Sequence, residues 1–172
     1  MNQEKNISEP ESKYNWLLSR LYDTNISIPR YIIRTGLISL IPSLIISFIL
    51  FSVGIMNEGS SPEFEGPVVL VAIIFILIGP PIETFIMIPI LKVLSFLTRR
   101  KFQLAVMSAI VWAVMHSLAA WAWGLVIVWP FFVFSCCYLS WRKKSFWHAI
   151  LVTSCVHAFQ NILPAIAIIA SK

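Results

Sequence analysis

Charge is what this chain has least of. Only 12% of its 172 residues are charged, 58% are apolar, and mean hydropathy is +0.82; soluble domains run near 25% charged. That shortage excludes a soluble globular domain and points to a polytopic membrane protein. Carboxylates are scarcer still. Beyond Glu65 the sequence holds one, Glu83, within Gly79-Pro80-Pro81-Ile82-Glu83-Thr84-Phe85. The three cysteines, Cys136, Cys137 and Cys155, have no CxxC or metal-pair spacing and read as small packing residues in apolar stretches. The formal charge of +5 is no nucleic-acid signal, because the basic residues cluster at helix ends. The first 28 residues hold no apolar core with a cleavage site, so no cleavable signal peptide is expected. No internal repeat or low-complexity segment is visible.

What remains is apolar length. The pattern is all-α, a polytopic transmembrane bundle of about five spans preceded by a short amphipathic helix. Residues 1–12 read as a disordered polar tail, and Lys13 to Tyr22 as an interfacial helix with Trp16, Leu17 and Leu21 on one side. Residues 1–28 thus form a polar N-terminal segment, and 29–172 a single transmembrane domain. Spans are expected at about 31–56, 68–97, 103–120, 124–139 and 146–170; the first is long enough at about 1.5 Å per residue to cross a 30 Å core. The second is interrupted by Gly79-Pro80-Pro81 and Pro89, and carbonyls freed at that depth must find partners on neighbouring helices. With five spans, eleven of the thirteen basic residues fall on one side, and Glu58, Glu63 and Glu65 on the other. The positive-inside rule then places the N-terminus in the cytoplasm and the C-terminus outside; the expected location is the cell membrane. Trp121, Trp123, Trp141 and Trp147 fit headgroup belts, and His148 the interface.

A carboxylate in hydrocarbon costs roughly 2.5–3.5 kcal/mol and is a functional candidate by default. Glu83 lies 16 residues from Arg99, His116 15 from Lys101, and His157 13 from Lys144. At about 1.5 Å per residue these are roughly 20–24 Å, one common depth. Asn161 follows His157 by four residues on the same helix face, and Trp112 stands four before His116 as an aromatic wall. Each polar residue alone reads more simply as an interhelical hydrogen-bond partner; together they suggest one internal cavity. A glutamate there can act as general base toward water, with two imidazoles and a carboxamide orienting that water and an oxyanion. This suits amide hydrolysis. Glu83, His116 and His157 could instead bind zinc, but the spans then offer no further carboxylate as base. Metal-independent hydrolysis is the simpler expectation, with zinc the alternative.

Three segments resemble the motifs of the CAAX protease and bacteriocin-processing family of intramembrane endopeptidases. They are Pro80-Pro81-Ile82-Glu83-Thr84-Phe85-Ile86-Met87-Ile88, Trp112-Ala113-Val114-Met115-His116 and His157-Ala158-Phe159-Gln160-Asn161. The resemblance covers about residues 68–165. It implies that Glu83 and His116 activate water and that His157 and Asn161 stabilise the oxyanion. Thr84 and Trp112 are expected as substrate-side or wall residues. The expected partners are the lipid bilayer and a peptide or prenylated protein substrate, with no nucleic acid. Where the family has a second Glu and an Arg, this chain has Thr84 and Ile88. Loss of both leaves no orphan charge. Two other readings stand beside the peptidase. One is a non-catalytic relative that acts by binding, such as a bacteriocin self-immunity protein; the other is a transporter or proton relay.

Overall fold

The computed structural model describes residues 16–57 and 66–170. The expected polar tail and most of the acidic loop with Glu58, Glu63 and Glu65 lie outside them. Among the described residues every regular element is helical. In chain order they are α1 Trp16–Tyr22, α2 Ile28–Ser52, α3 Val68–Ile73, a π-helical turn Ile74–Ile78, α4 Gly79–Leu94, α5 Lys101–Ser117, α6 Trp123–Trp141 and α7 Phe146–Ala170. The segment Val68–Leu94 is one continuous rod. It and α2, α6 and α7 are long and apolar enough to cross a membrane, so the protein is a membrane-embedded helical bundle.

The differences from the expected spans have local causes. The first helix begins at Ile28 rather than Tyr31, because proline in its first turn needs no backbone partner. It ends at Ser52, and Gly54 follows with φ +74°, a left-handed conformation that glycine adopts without strain. The expected third span, 103–120, is α5. At 17 residues it rises only about 25 Å and is shorter than the four spanning helices. The fourth, expected at 124–139, extends to Trp123–Trp141, while the fifth matches the expected limits. The bundle therefore combines three long rods with one shorter hairpin, α5–α6, whose turn is Leu118–Ala122.

The core is shared by α4, α5, α6 and α7. Met87, Leu91, Leu104, Trp112, Phe131, Phe134, Val152 and Val156 belong to one buried apolar cluster, joined by Leu21 and Tyr31 from the N-terminal corner. Glycine sets two close approaches. A Cβ on Gly36 would sit 2.5 Å from the Phe159 ring, where α2 crosses α7. One on Gly124 would fall onto Ser117 Oγ and the Ala113 carbonyl, where α6 lies against α5. Cys136 and Cys137 are buried, Cys155 is partly buried and all three are free.

Three basic loops meet at one end. Tyr31 donates from its hydroxyl to the Leu21 carbonyl at 2.6 Å, closing the α1–α2 corner. Arg34 donates to the carbonyls of Arg20 at 2.6 Å and Asp23 at 3.0 Å, and lies 3.3 Å from the Asp23 carboxylate. The backbone N–H of Asn25 beside the Asp23 carboxyl, with Arg34, holds it below the usual carboxylate range. Lys144 from the α6–α7 loop donates to the Thr24 carbonyl, and Lys101 at the start of α5 lies over the Tyr22 ring at 5.4 Å. The basic clusters thus occupy the same end of the molecule, and Glu83, His116 and His157 are each carried away from it by a separate helix.

Candidate active site

Proline chemistry builds the first part of the site. Pro80 and Pro81 carry no amide hydrogen. The Gly79 N–H bonds the Ile74 carbonyl five residues back, which is the wide π register. The Phe75 carbonyl is therefore passed over, because the next nitrogen along, on Pro80, has nothing to donate. Asn161 supplies the missing donor, with Nδ2 2.9 Å from the Phe75 carbonyl oxygen. The freed carbonyl foreseen from Gly79-Pro80-Pro81 thus finds its partner on α7. Such π turns recur at functional sites. Here it sits directly before Glu83, one turn into α4.

Glu83, His116, His157 and Asn161 all line one cavity of about 280 Å3. They come from α4, α5 and α7, as counting by depth predicts. The Oε2 of Glu83 lies 3.8 Å from His157 Nε2, beyond hydrogen-bond length, so a third group can bond to both. Oε2 is buried and accepts no hydrogen bond among the described residues. His116 Nδ1 lies 3.0 Å from the Trp112 carbonyl. A carbonyl only accepts, so Nδ1 carries the proton and Nε2 is the basic nitrogen.

Aromatic rings hold both imidazoles. His157 stacks on Phe134 at 4.3 Å. His116 meets Trp123 edge-on at 4.6 Å and Phe131 at 5.2 Å. Phe131 also contacts His157 at 5.6 Å, so one ring lies against both. Trp123, expected at the headgroup belt, is instead part of the cavity wall. Trp121 and Trp147 are exposed, as belt residues are. Trp112 and Thr84, expected beside the substrate, stand behind the lining. Trp112 stacks on Phe131 at 4.3 Å and is buried. Thr84 donates to the Pro80 carbonyl at 2.7 Å and receives a 3.3 Å bond from Ser154 on α7. Thr84 thus makes a neutral α4–α7 contact.

Several lining residues escape a reading by charge and histidine alone. Ser43 and Ser47 of α2 face the cavity, as does Gln160, which receives a 2.8 Å bond from Ser39. Ser39, Ser43 and Ser47 recur every four residues along α2, and Gln160 adjoins Asn161, a pattern of uncharged residues that a search for charge passes over. Among the described residues no three His, Cys, Asp or Glu side chains are grouped to hold a metal ion. Glu83, His116 and His157, the alternative zinc set, do not form one. No family model, curated protein or solved structure matches the chain.

The role of Asn161 at the π turn is testable. Asn161→Ala leaves the Phe75 carbonyl without its donor at membrane depth, at a cost of about 1–2 kcal/mol. Thermal unfolding in detergent should show the loss. A variant as stable as the parent would mean that the carbonyl has another partner.

Proposed function

We propose that this protein is an intramembrane peptidase of the CAAX-protease and bacteriocin-processing type. The observation that carries this reading is the convergence of all four motif positions, from three helices, on one cavity. Glu83 takes a proton from water, assisted by His116 through Nε2. The resulting hydroxide adds to the peptide carbonyl. His157 and the second hydrogen of the Asn161 amide face the developing oxyanion, and the proton passes to the leaving amine. Among the described residues Glu83 is the only carboxylate lining the cavity, and its unpartnered Oε2 gives it a free acceptor for that proton. The rings around the imidazoles limit their rotation, which favours a preorganised site. By the positive-inside rule, the end bearing the three basic loops is the cytoplasmic one, and we assign the protein to the cell membrane.

The test is purified protein in vesicles with a library of apolar and prenylated peptides, read by mass spectrometry. The parent should generate new peptide ends that neither empty vesicles nor the His116→Ala variant produce. Cleavage undiminished in His116→Ala would remove the assignment. Activity that survives a chelator supports metal-independent hydrolysis; activity restored only by added zinc moves Glu83 to a ligand role.

A second reading is favoured by Thr84 and by the bond from Asn161 to Phe75. Both are neutral structural contacts at motif positions, as suits a non-catalytic relative that works by binding, for example in self-immunity. Glu83→Gln separates the two in cells. Full biological activity in that variant supports the binding protein and excludes the hydrolase.

A further inference from the structure

Away from the cavity, two apolar grooves run side by side along α5 from its basic end. One, of about 300 Å3, lies between α1, α5 and α6 and includes Leu17, Ile110 and Trp129. The other, of about 460 Å3, includes Leu97, Gln103 and Met107. Phe102 and Val106 belong to both, so these two side chains form a ridge with a groove on each flank. From Phe102 to Ile110 the ridge and first groove rise about 12 Å along the helix.

The ridge begins directly after Arg99-Arg100-Lys101. Lys101 is buried, with its ammonium over Tyr22. Arg99 and Arg100 are exposed, and neither pairs with a carboxylate among the described residues. Their loop is fixed locally. The Arg100 N–H donates to Thr98 Oγ1 at 3.2 Å, and Thr98 Oγ1 donates to Gln103 Oε1 at 2.5 Å. Two exposed arginines thus immediately precede the ridge and its two apolar grooves, at the end of the bundle where the basic loops gather. Two tails joined below one negative head have that shape and charge.

We infer that this face binds a single anionic diacyl phospholipid of the bilayer, its phosphate on Arg99 and Arg100 and its two acyl chains astride Phe102 and Val106. Zwitterionic lipid fills the grooves equally well but places its own cation against the arginines, so the headgroup discriminates. The site is separate from the polar cavity and does not depend on catalysis.

Native mass spectrometry of the full chain tests it, with the protein extracted from vesicles of equal phosphatidylglycerol and phosphatidylcholine with matched acyl chains. One phosphatidylglycerol should be retained, at about tenfold or greater preference. Arg99→Gln with Arg100→Gln should abolish the preference. Ile110→Trp, on an exposed position, should fill a groove and lower retention of both lipids alike. Equal retention of the two lipids by the parent, or a preference that survives the double arginine variant, overturns the proposal. So does unchanged retention in Ile110→Trp.

Discussion

Glu83→Gln should lower peptide hydrolysis roughly a thousandfold while leaving the protein as stable as the parent or more so. The activity loss follows from the general-base role proposed for Glu83; such a role contributes about 10²–10⁴-fold in enzymes generally. The amide has nearly the shape of the carboxylate but cannot take the proton. The stability arm rests on solvation. Glu83 Oε2 is buried, accepts no hydrogen bond and lies 3.8 Å from an imidazole; removing a carboxyl group from that setting removes an unfavourable term. A purely structural glutamate would behave in the opposite way, with stability falling and activity following it. Residues that act as one unit lose activity non-additively, so His116→Ala added to Glu83→Gln should cost little more than either alone. Additive losses would separate their roles.

Gly124→Ala is the second large effect, and it reaches the site through packing. The added methyl falls onto Ser117 Oγ and onto the Ala113 carbonyl. The first can rotate away; the second is backbone and cannot. α5 and α6 must therefore separate at the tip of the short hairpin, where His116 meets Trp123 at 4.6 Å. Overpacking of this kind costs about 1–3 kcal/mol. A shift of about 1 Å in a catalytic group can cost about a hundredfold in rate. The unfolding midpoint and the cleavage rate should both fall, the rate by more than the loss of folded protein explains. Ser117→Ala in the same chain relieves one contact and should recover part of the stability. Gly124→Ala with parental rate and midpoint would show that the hairpin tip yields without moving His116.

Depth along a helix is written in the sequence, whereas direction around it is only partly so. Counting residues from the basic loops placed Glu83, His116 and His157 in one layer, and Asn161 joined His157 through the four-residue helical repeat. Those four do share a cavity. Direction failed for Trp112 and Thr84, which lie in the same short segments as His116 and Glu83 but face the bundle interior. It failed for Trp123 too, because an aromatic at a helix start suits the headgroup belt as well as a cavity wall. The wall from α2 was hidden by economy of signal, since Ser43 and Ser47 carry no charge. The prolines announced a free carbonyl, but its identity depends on the π register of Ile74–Ile78, which places Phe75 rather than a neighbour opposite Asn161. The end of α5 was placed three residues late because Phe102 to Leu139 holds no charged residue. The turn at Leu118–Ala122 had no polar residue to mark it.

The most direct measurement is isotope incorporation. Peptide is cleaved by the reconstituted protein in ¹⁸O-enriched water, and the newly formed carboxyl end is weighed. Water activated at Glu83 should place one ¹⁸O atom in that carboxyl group, and the Glu83→Gln protein, folded to the same extent, should yield almost no product. Product formed at the parental rate by Glu83→Gln, or a new end that carries no label, would contradict the account.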